Sequence, residues 1–317
     1  MSAAITTSNL TKRFKTHVAV DSLNLDVPQG AIYGFLGPNG SGKSTTMKML
    51  LGLTRPTEGE IRVFEQDLTP ASRTRMLPSI GSMIEAPPGY GHLTGLENMR
   101  IVQDMLDLSA VQIEHALETV RLTEHKNKLV RNYSLGMKQR LGIAMALARD
   151  PALLILDEPT NGLDPAGIEE IRTLLIRLAG HGITVMVSSH LLDEIDRMAS
   201  TLGILSAGRL VFQGTRAELM ERSVPDILIV TPTPQAVLDP QTLAGLVPAQ
   251  ASGASGQPSG PALVPQGVRI PGMSKGAVAE LISRLAAAGV ELHEVRREAQ
   301  SLEDVFMDLT GRGGGVL

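Results

Sequence analysis

Residues Gly37–Thr45 read GPNGSGKST, the pattern G-x-x-x-x-G-K-[ST] of a phosphate-binding loop. The run just ahead, Ala31–Leu36, is short and nearly all apolar, as a strand buried on both faces of a parallel sheet should be. A glycine-rich loop after such a strand leaves backbone N–H groups free to surround phosphate oxygens, in a space that side chains would fill. A helix starting near Gly42 adds its positive end. In this pattern Lys43 reaches the β- and γ-phosphates and Ser44 offers a hydroxyl to Mg²⁺, with Asn39, Gly40, Ser41, Gly42 and Thr45 completing the cradle. A plain glycine turn would account for the glycines but not for the lysine.

Two more apolar runs, Leu153–Leu156 and Ile183–Val187, have the same buried-strand character. Short apolar runs alternating with helical patterns over the first 220 residues predict a parallel α/β body. Leu93–Arg149 breaks the alternation with helical periodicity and few strand signals, so a helical subdomain is expected at about 86–150. The run Leu153–Glu158, LLILDE, ends in two carboxylates at the carboxyl end of its strand, where ligands bind in such sheets. Asp157 suits the surroundings of Mg²⁺, and Glu158 suits a base that orients water toward a γ-phosphate.

Composition narrows the function classes. The 317 residues are 43% apolar and 20% charged, which excludes wholesale disorder. Lys and Arg number 29 against 33 Asp and Glu, a net charge of −4, so nucleic acid is not an expected partner. Cysteine is absent, which excludes disulfides, thiolate zinc sites and a cysteine nucleophile. Tryptophan is absent and aromatics make up only 3%, which argues against base-stacking platforms. His17, His92, His115, His125, His181 and His293 show no ligand-like spacing. No stretch reaches the roughly 18 uncharged apolar residues of a membrane helix. Lys12, Arg13 and Lys15 have no apolar run behind them, so no signal peptide is expected.

Near residue 223 the character changes. Pro, Gln, Ala, Gly and Ser dominate Pro232–Gln266, and Pro248–Pro261 (PAQASGASGQPSGP) has the composition of a flexible loop. Beyond it, Ser274–Ala288 has helical periodicity, Val290–Val295 alternates like a strand, and Ser301–Leu309 looks like a helix capped by Ser301. The expected organisation is an α/β body at 1–222 and a small α+β accessory domain at 223–317 with a flexible loop at about 248–261. No internal repeat is present.

After the phosphate loop come YSLGMKQR (Tyr133–Arg140), LLILDE, NGLDP (Asn161–Pro165) and SSH (Ser188–His190). In this order and spacing, residues 1–222 resemble the nucleotide-binding subunit of ABC transporters: Walker A, signature, Walker B, D-loop and switch histidine. Ser82–Met99 (SMIEAPPGYGHLTGLENM) and SLEDVF (Ser301–Phe306) look like the bacterial branch that exports bacitracin, lantibiotics and related drugs. The resemblance implies a P-loop NTPase fold of ABC type that hydrolyses ATP with Mg²⁺. It implies two copies head to tail, with Ser134 and Gly136 of one copy meeting the γ-phosphate held by the other, and Asp164 linking the two sites. It also implies that His190 contacts the γ-phosphate, that a separate transmembrane permease is needed, and that the chain lies in the cytoplasm, peripheral on the inner face of the cell membrane. Phe14, in TKRFK, stands where the family has an aromatic against adenine, with Val20 completing the apolar contact; a core phenylalanine is the competing reading.

Two departures from the family pattern stand out, one in the signature and one ahead of the helical subdomain. Leu135 and Met137 replace a Gly and a Gln of the usual signature, which leaves the contacts of those two positions open. No glutamine occurs between Gln66 and Gln103, and Glu85 stands where the family places one. Its carboxylate would bind Mg²⁺ or its water; the bland alternative is a solvated loop residue. The rival function is a soluble ABC ATPase acting as a switch on DNA or the ribosome, although this chain lacks the coiled-coil insertion, zinc site or tandem halves usual there. A P-loop metabolite kinase is a further rival, against which the signature and Glu158 speak.

Shortening Pro248–Pro261 should leave ATPase activity intact. The segment offers almost no apolar surface, and loop length costs only about 0.6 kcal/mol per doubling. Loss of folding or of phosphate release on its deletion would show the segment to be structural.

Overall fold

The computed structural model describes residues 2–221, 225–246, 260–270, 272–298 and 302–310. The chain divides into two units, Met1–Arg216 and Ala217–Leu317. The division falls at the start of the helix Arg216–Glu221, a few residues ahead of the boundary expected after residue 222.

The first unit is organised by a six-stranded sheet. Its strands run, edge to edge, Arg209–Gly214, Thr201–Ser206, Ile32–Leu36, Thr184–Ser189, Leu153–Leu156 and Ile80–Met83. All pairings are parallel except that of Arg209–Gly214 with Thr201–Ser206. The three central strands, Ile32–Leu36, Thr184–Ser189 and Leu153–Leu156, are buried at every residue, which is why their apolar runs do not alternate. Rungs Leu36↔Ser189 and Leu156↔Val187 align the carboxyl ends of these strands. The phosphate loop, Asp157, Glu158 and His190 thus leave one edge of the sheet side by side.

A second sheet departs from the expectation of a purely parallel body. His17–Leu23, Ala3–Phe14, Glu58–Val63 and Gln66–Asp67 lie in that order, and Asp26–Pro28 also pairs with Ala3–Phe14, all antiparallel. Ala3–Phe14 has register irregularities against all three of its partners. Bulges of this kind break the period-two alternation by which a one-face-buried strand is recognised. One core joins both sheets: Ile5, Leu10, Val20, Leu23 and Val63 pack with Phe35, Ile155 and Met186, and with Met47, Met49 and Leu50 of the helix Lys43–Leu50. The helix that follows the phosphate loop is therefore anchored in the centre of the unit.

Within 86–150 lie the helices Gly95–Leu106, Ala110–Thr119 and Leu135–Leu147. Thr94 with Glu97, and Ser109 with Gln112, form capping boxes at the first two, and Ser134 caps the third. Leu135–Leu147 lies almost in backbone contact with the edge strand Ile80–Met83. A Cβ on Gly81 would sit 2.2 Å from the carbonyl oxygen of Ala146, and one on Gly142 would sit 2.5 Å from Met83 Sδ.

The second unit has a four-stranded antiparallel sheet, ordered Ala262–Val264, Gly267–Ile270, Asp226–Val230, Glu294–Glu298. With the helices Pro234–Val237, Pro240–Leu243 and Lys275–Ala287, this is a β-α-β-β-α-β arrangement with a split βαβ unit. Ile227, Ile229, Val268 and Ile270 pack on Leu281 and Leu285. The last strand was expected at Val290–Val295 and lies instead at Glu294–Glu298. Val290 and Leu292 pack against the core on the way out of the preceding helix, and their apolar spacing comes from that contact rather than from a strand. The stretch Pro232–Gln266 is more structured at its ends than its composition implies, with the two short helices before residue 248 and the strand Ala262–Val264 after it. Residues 248–259 and Ser301 lie outside the described residues; the terminal helix spans Leu302–Thr310. Among the described residues no helix is long and apolar enough to cross a membrane.

The Gly81 contact predicts a contrast. Gly81→Ala forces a methyl group into backbone that cannot rotate away, and should lower unfolding free energy by about 1–3 kcal/mol in urea titration. Gly142→Ala meets side chains rather than backbone, Met83 Sδ and at 3.1 Å the Pro88 ring, and gains about 1 kcal/mol of helix propensity, so its cost should be smaller. Equal midpoints for Gly81→Ala and the wild type would contradict this packing.

Candidate functional site

The phosphate loop has backbone geometry that other residues would disrupt. Gly42, at the N-cap of the helix Lys43–Leu50, has φ of 106°, and a Cβ there would lie 2.4 Å from the carbonyl oxygen of Ala19. Gly40 has φ of 77°. Ser41 Oγ is buried without a hydrogen-bond partner. Left-handed dihedrals at Gly40 and Gly42, and packing against Ala19 too close for a Cβ at Gly42, fit a loop that wraps a phosphate with its backbone. Ser44 and Thr45 are half-buried in the first helical turn, and Asn39 and Gly40 lie exposed at the tip.

Lys43 is only 5% exposed. Its Nζ donates to the carbonyl of Gly37 at 2.7 Å and to that of Pro38 at 3.3 Å, and lies 3.5 Å from Glu158 Oε1. Burial pushes the lysine pKa down from its ordinary value, while the neighbouring charges of Glu158 and Asp157 act against that shift. Glu158 Oε2 is 2.6 Å from His190 Nδ1. One carboxylate therefore spans the two other residues assigned to catalysis.

Glu158 has φ of 48°, an uncommon region for a residue other than glycine. Its N–H donates to Ser188 Oγ at 2.9 Å, and that hydroxyl donates to Asp157 Oδ1 at 2.6 Å. Ser188 and Asp157 are buried. A single hydroxyl thus fixes both the Asp157 side chain and the backbone of Glu158. Sequence reasoning passed over Ser188 as one letter of SSH. The available signal was a hydroxyl in an otherwise buried strand, which must find a partner.

Among the described residues no group of three His, Cys, Asp or Glu side chains could hold a metal. Ser44 and Asp157 are hard oxygen donors of the kind Mg²⁺ takes when nucleotide phosphates supply the rest of its shell.

The remaining assigned residues are distributed as follows. Ser134 is exposed at the start of Leu135–Leu147, where its side chain accepts from the N–H of Met137. Asp164 caps the helix Pro165–Gly180, accepting from the N–H of Gly167 at 3.0 Å. The two helix starts adjoin within the chain: a Cβ on Gly162 would lie 3.2 Å from Leu135, and one on Gly136 would lie 3.8 Å from Leu163. The hydrogen bonds of Ser134 and Asp164 are these caps, not contacts with Lys43, Glu158 or His190.

Phe14 is 48% exposed, so the reading as a core phenylalanine falls. Lys12 Nζ lies 4.9 Å from its ring centroid and donates to the carbonyl of Arg55 at 2.8 Å. Val20 requires a correction. It is fully buried in the core beneath Gly42, so it supports the phosphate loop from below and presents no surface to a base. Glu85 follows the strand Ile80–Met83, with φ of 69° and its side chain 68% exposed. Its Oε1 lies 2.5 Å from Lys48 Nζ, and that hydrogen bond and charge hold the carboxyl below its usual pKa.

Comparison with known proteins bears on this arrangement. The profile of the family described as ABC transporter matches residues 20–161. The bacitracin transport ATP-binding protein BcrA of Enterococcus faecalis is 39% identical over 316 residues, covering 99% of this chain and 98% of the relative. The lantibiotic transport ATP-binding protein SrtF of Streptococcus pyogenes is 44% identical over 205 residues, 65% of this chain and 88% of the relative. Among solved structures, the ATP-binding cassette MJ0796, in a dimeric post-hydrolysis state bound to ADP and Pi, superposes with a TM-score of 0.60 at 27% identity. That match covers 67% of this chain and 98% of the cassette. With the phosphate loop, Glu158 and His190 converging at one sheet edge and a full-length relative at this identity, the chain belongs to the ABC transporter family, as one of its ATP-binding, ATP-hydrolysing subunits.

Proposed function

We propose that this subunit drives export of a drug, a peptide antibiotic or a similar compound, as a head-to-tail pair on a separate transmembrane permease at the cytoplasmic face of the membrane. The observation that carries the site assignment is the chain of contacts from Lys43 through Glu158 to His190. The bacitracin and lantibiotic transport proteins among its relatives support an exporter over a switch acting on DNA or the ribosome.

ATP binds with its phosphates in Gly37–Thr45, where Lys43 turns from the loop carbonyls to the β- and γ-phosphates. Phe14 offers a ring face to the adenine. Ser44 would hold Mg²⁺, with Asp157 orienting its shell, and the ion would supply positive charge between the phosphates. Glu158 orients the attacking water and accepts its proton as the oxygen bonds to the γ-phosphorus and the bond to ADP breaks. His190 donates a hydrogen bond to the γ-phosphate, and its contact with Glu158 fixes the imidazole orientation. The exposed start of Leu135–Leu147, with Ser134 and Gly136, presents a positive helix end to the γ-phosphate of the second copy, and the dimeric state of MJ0796 supports that pairing. Asp164 adjoins the same surface and links the two sites across the pair. Closure around ATP and reopening after hydrolysis move the permease.

Glu158→Gln should lower steady-state hydrolysis at least about a hundredfold, since the amide keeps the shape but loses the base. ATP binding should persist, giving an ATP-dependent dimer on size-exclusion chromatography. Near-normal turnover would remove Glu158 from its role. Lys43→Ala should weaken nucleotide binding itself, and unchanged affinity for ATP would count against the loop assignment.

Glu85 is proposed to leave Lys48 and approach Mg²⁺ or the attacking water in the ATP-bound pair. Glu85→Gln should retain activity with an altered Mg²⁺ dependence, and Glu85→Ala should reduce turnover more. ATPase rate against Mg²⁺ concentration for the three proteins is the measurement. Superimposed curves would leave Glu85 as the solvated partner of Lys48.

A further inference from the structure

Glu158 and His190 lie beyond the end of the sheet that positions them. The ladder between Leu153–Leu156 and Thr184–Ser189 stops at the rung Leu156↔Val187. Past it, side chains join the loop after one strand to the loop after the other. Ser188 makes one such link, to Asp157 and Glu158. Glu194, in the helix Leu192–Asp196, makes the other. Its Oε2 accepts from Thr160 Oγ1 at 2.5 Å and from Ser189 Oγ at 3.0 Å.

The proton assignments in this second link are determined by elimination. Ser189 Oγ accepts from the N–H of Leu191 at 2.9 Å, so its single proton is free to point at Glu194. Thr160 has only its hydroxyl to offer. Oε2 of Glu194 thus accepts from two hydroxyls at once, one lone pair to each. Thr160 and Ser189 are 3% and 2% exposed, so water cannot replace the carboxylate without rearrangement.

The positions matter as much as the bonds. Thr160 follows Glu158 by two residues, and Ser189 immediately precedes His190. A carboxylate holding both hydroxyls sets the separation of the two loops at the point where Glu158 meets His190. Among the described residues, the side chain of Glu194 bonds to Thr160 and Ser189 and not to the phosphate loop.

We propose that Glu194 is a positioning residue that holds Glu158 and His190 in register for hydrolysis and plays no part in binding ATP. The inference rests on the roles given above to Glu158 and His190. It assigns the pair's geometry to a side chain outside the phosphate loop, signature and strand-end motifs.

The test uses the purified full-length chain with Glu194→Ala, Glu194→Gln, Thr160→Val and the double variant Thr160→Val/Glu194→Ala, with Glu158→Gln in parallel. For Glu194→Ala, kcat and kcat/KM should fall together by about tenfold to a hundredfold, as for a misplaced catalytic group. Affinity for a fluorescent ATP analogue should stay within about twofold, because ground-state binding is untouched. Glu194→Gln keeps an acceptor oxygen and should recover most of the rate. Thr160→Val should lower kcat alone, yet add little in the Glu194→Ala background, because both act through one link. Unchanged kcat in Glu194→Ala, with Glu158→Gln inactive, would overturn the role of Glu194 and leave that of Glu158 standing. Parallel loss of nucleotide affinity and melting temperature, without rescue by glutamine, would mark Glu194 as a general structural support and also overturn the proposal. If Glu194→Ala does not fold, Glu194→Gln and Thr160→Val decide by the same kcat and affinity measurements. Wild-type turnover in Glu158→Gln would instead refute the underlying reading of the site.

Discussion

The ammonium of Lys43, buried at the carboxyl edge of a parallel sheet, is the feature around which the rest of the first unit is arranged. Removing such a charge from water is costly unless nearby groups compensate. Here the carbonyls of Gly37 and Pro38 and the carboxylate of Glu158 do so. That compensation requires the loop to curl back on itself, which the left-handed glycines allow. It also requires Glu158 to project from a different strand to the same point. The sheet register supplies this: Ile32–Leu36 and Leu153–Leu156 flank Thr184–Ser189, and all three end together.

Glu158 is in turn the most constrained residue of the site. Its backbone lies in the left-handed region, its N–H is held by Ser188, and its carboxylate is shared between a cation and an imidazole. Strain of this kind persists only where the surroundings over-determine it. Two hydroxyl-mediated links, through Ser188 and through Glu194, provide that determination beyond the reach of the backbone ladder. Glu158, His190 and Lys43 therefore form one mechanical unit, and displacing any of them disturbs the other two.

The surface that faces a second copy in the proposed pair is built more economically. Ser134 and Asp164 are ordinary N-caps in this chain, each accepting from the amide three residues on. Capping keeps the first turn of each helix intact and its remaining N–H groups directed outward. A local stabilising device and an anion-facing helix end thus use the same few residues. The accessory unit follows its own logic, with a four-stranded sheet packed on Leu281 and Leu285. Its buried Asp226 is paired with Arg269 and accepts from the N–H of Gly272.

What the amino-acid order alone determined was local. GPNGSGKST specified a strand, a tight loop and a helix start, because only glycine tolerates those dihedrals and only a helix end suits the charge. Unbroken apolar runs specified the buried central strands, and the helical periodicity of Ser274–Ala288 specified the helix found at Lys275–Ala287. The tertiary structure decided whatever depends on residues far apart in sequence. The antiparallel sheet was hidden by register irregularities in Ala3–Phe14, and the last strand by the apolar packing of Val290 and Leu292. Whether Phe14 and Val20 face solvent or core depends on which face of the sheet meets Met47 and its neighbours. Glu85 met Lys48 across 37 residues, Ser188 met Glu158 and Asp157 across 30 and 31, and Glu194 met Thr160 across 34. Periodicity and propensity reach only about a turn or a pleat along the chain. A hydroxyl or carboxylate that finds its partner on a neighbouring strand is invisible to them until the sheet has brought the strands together.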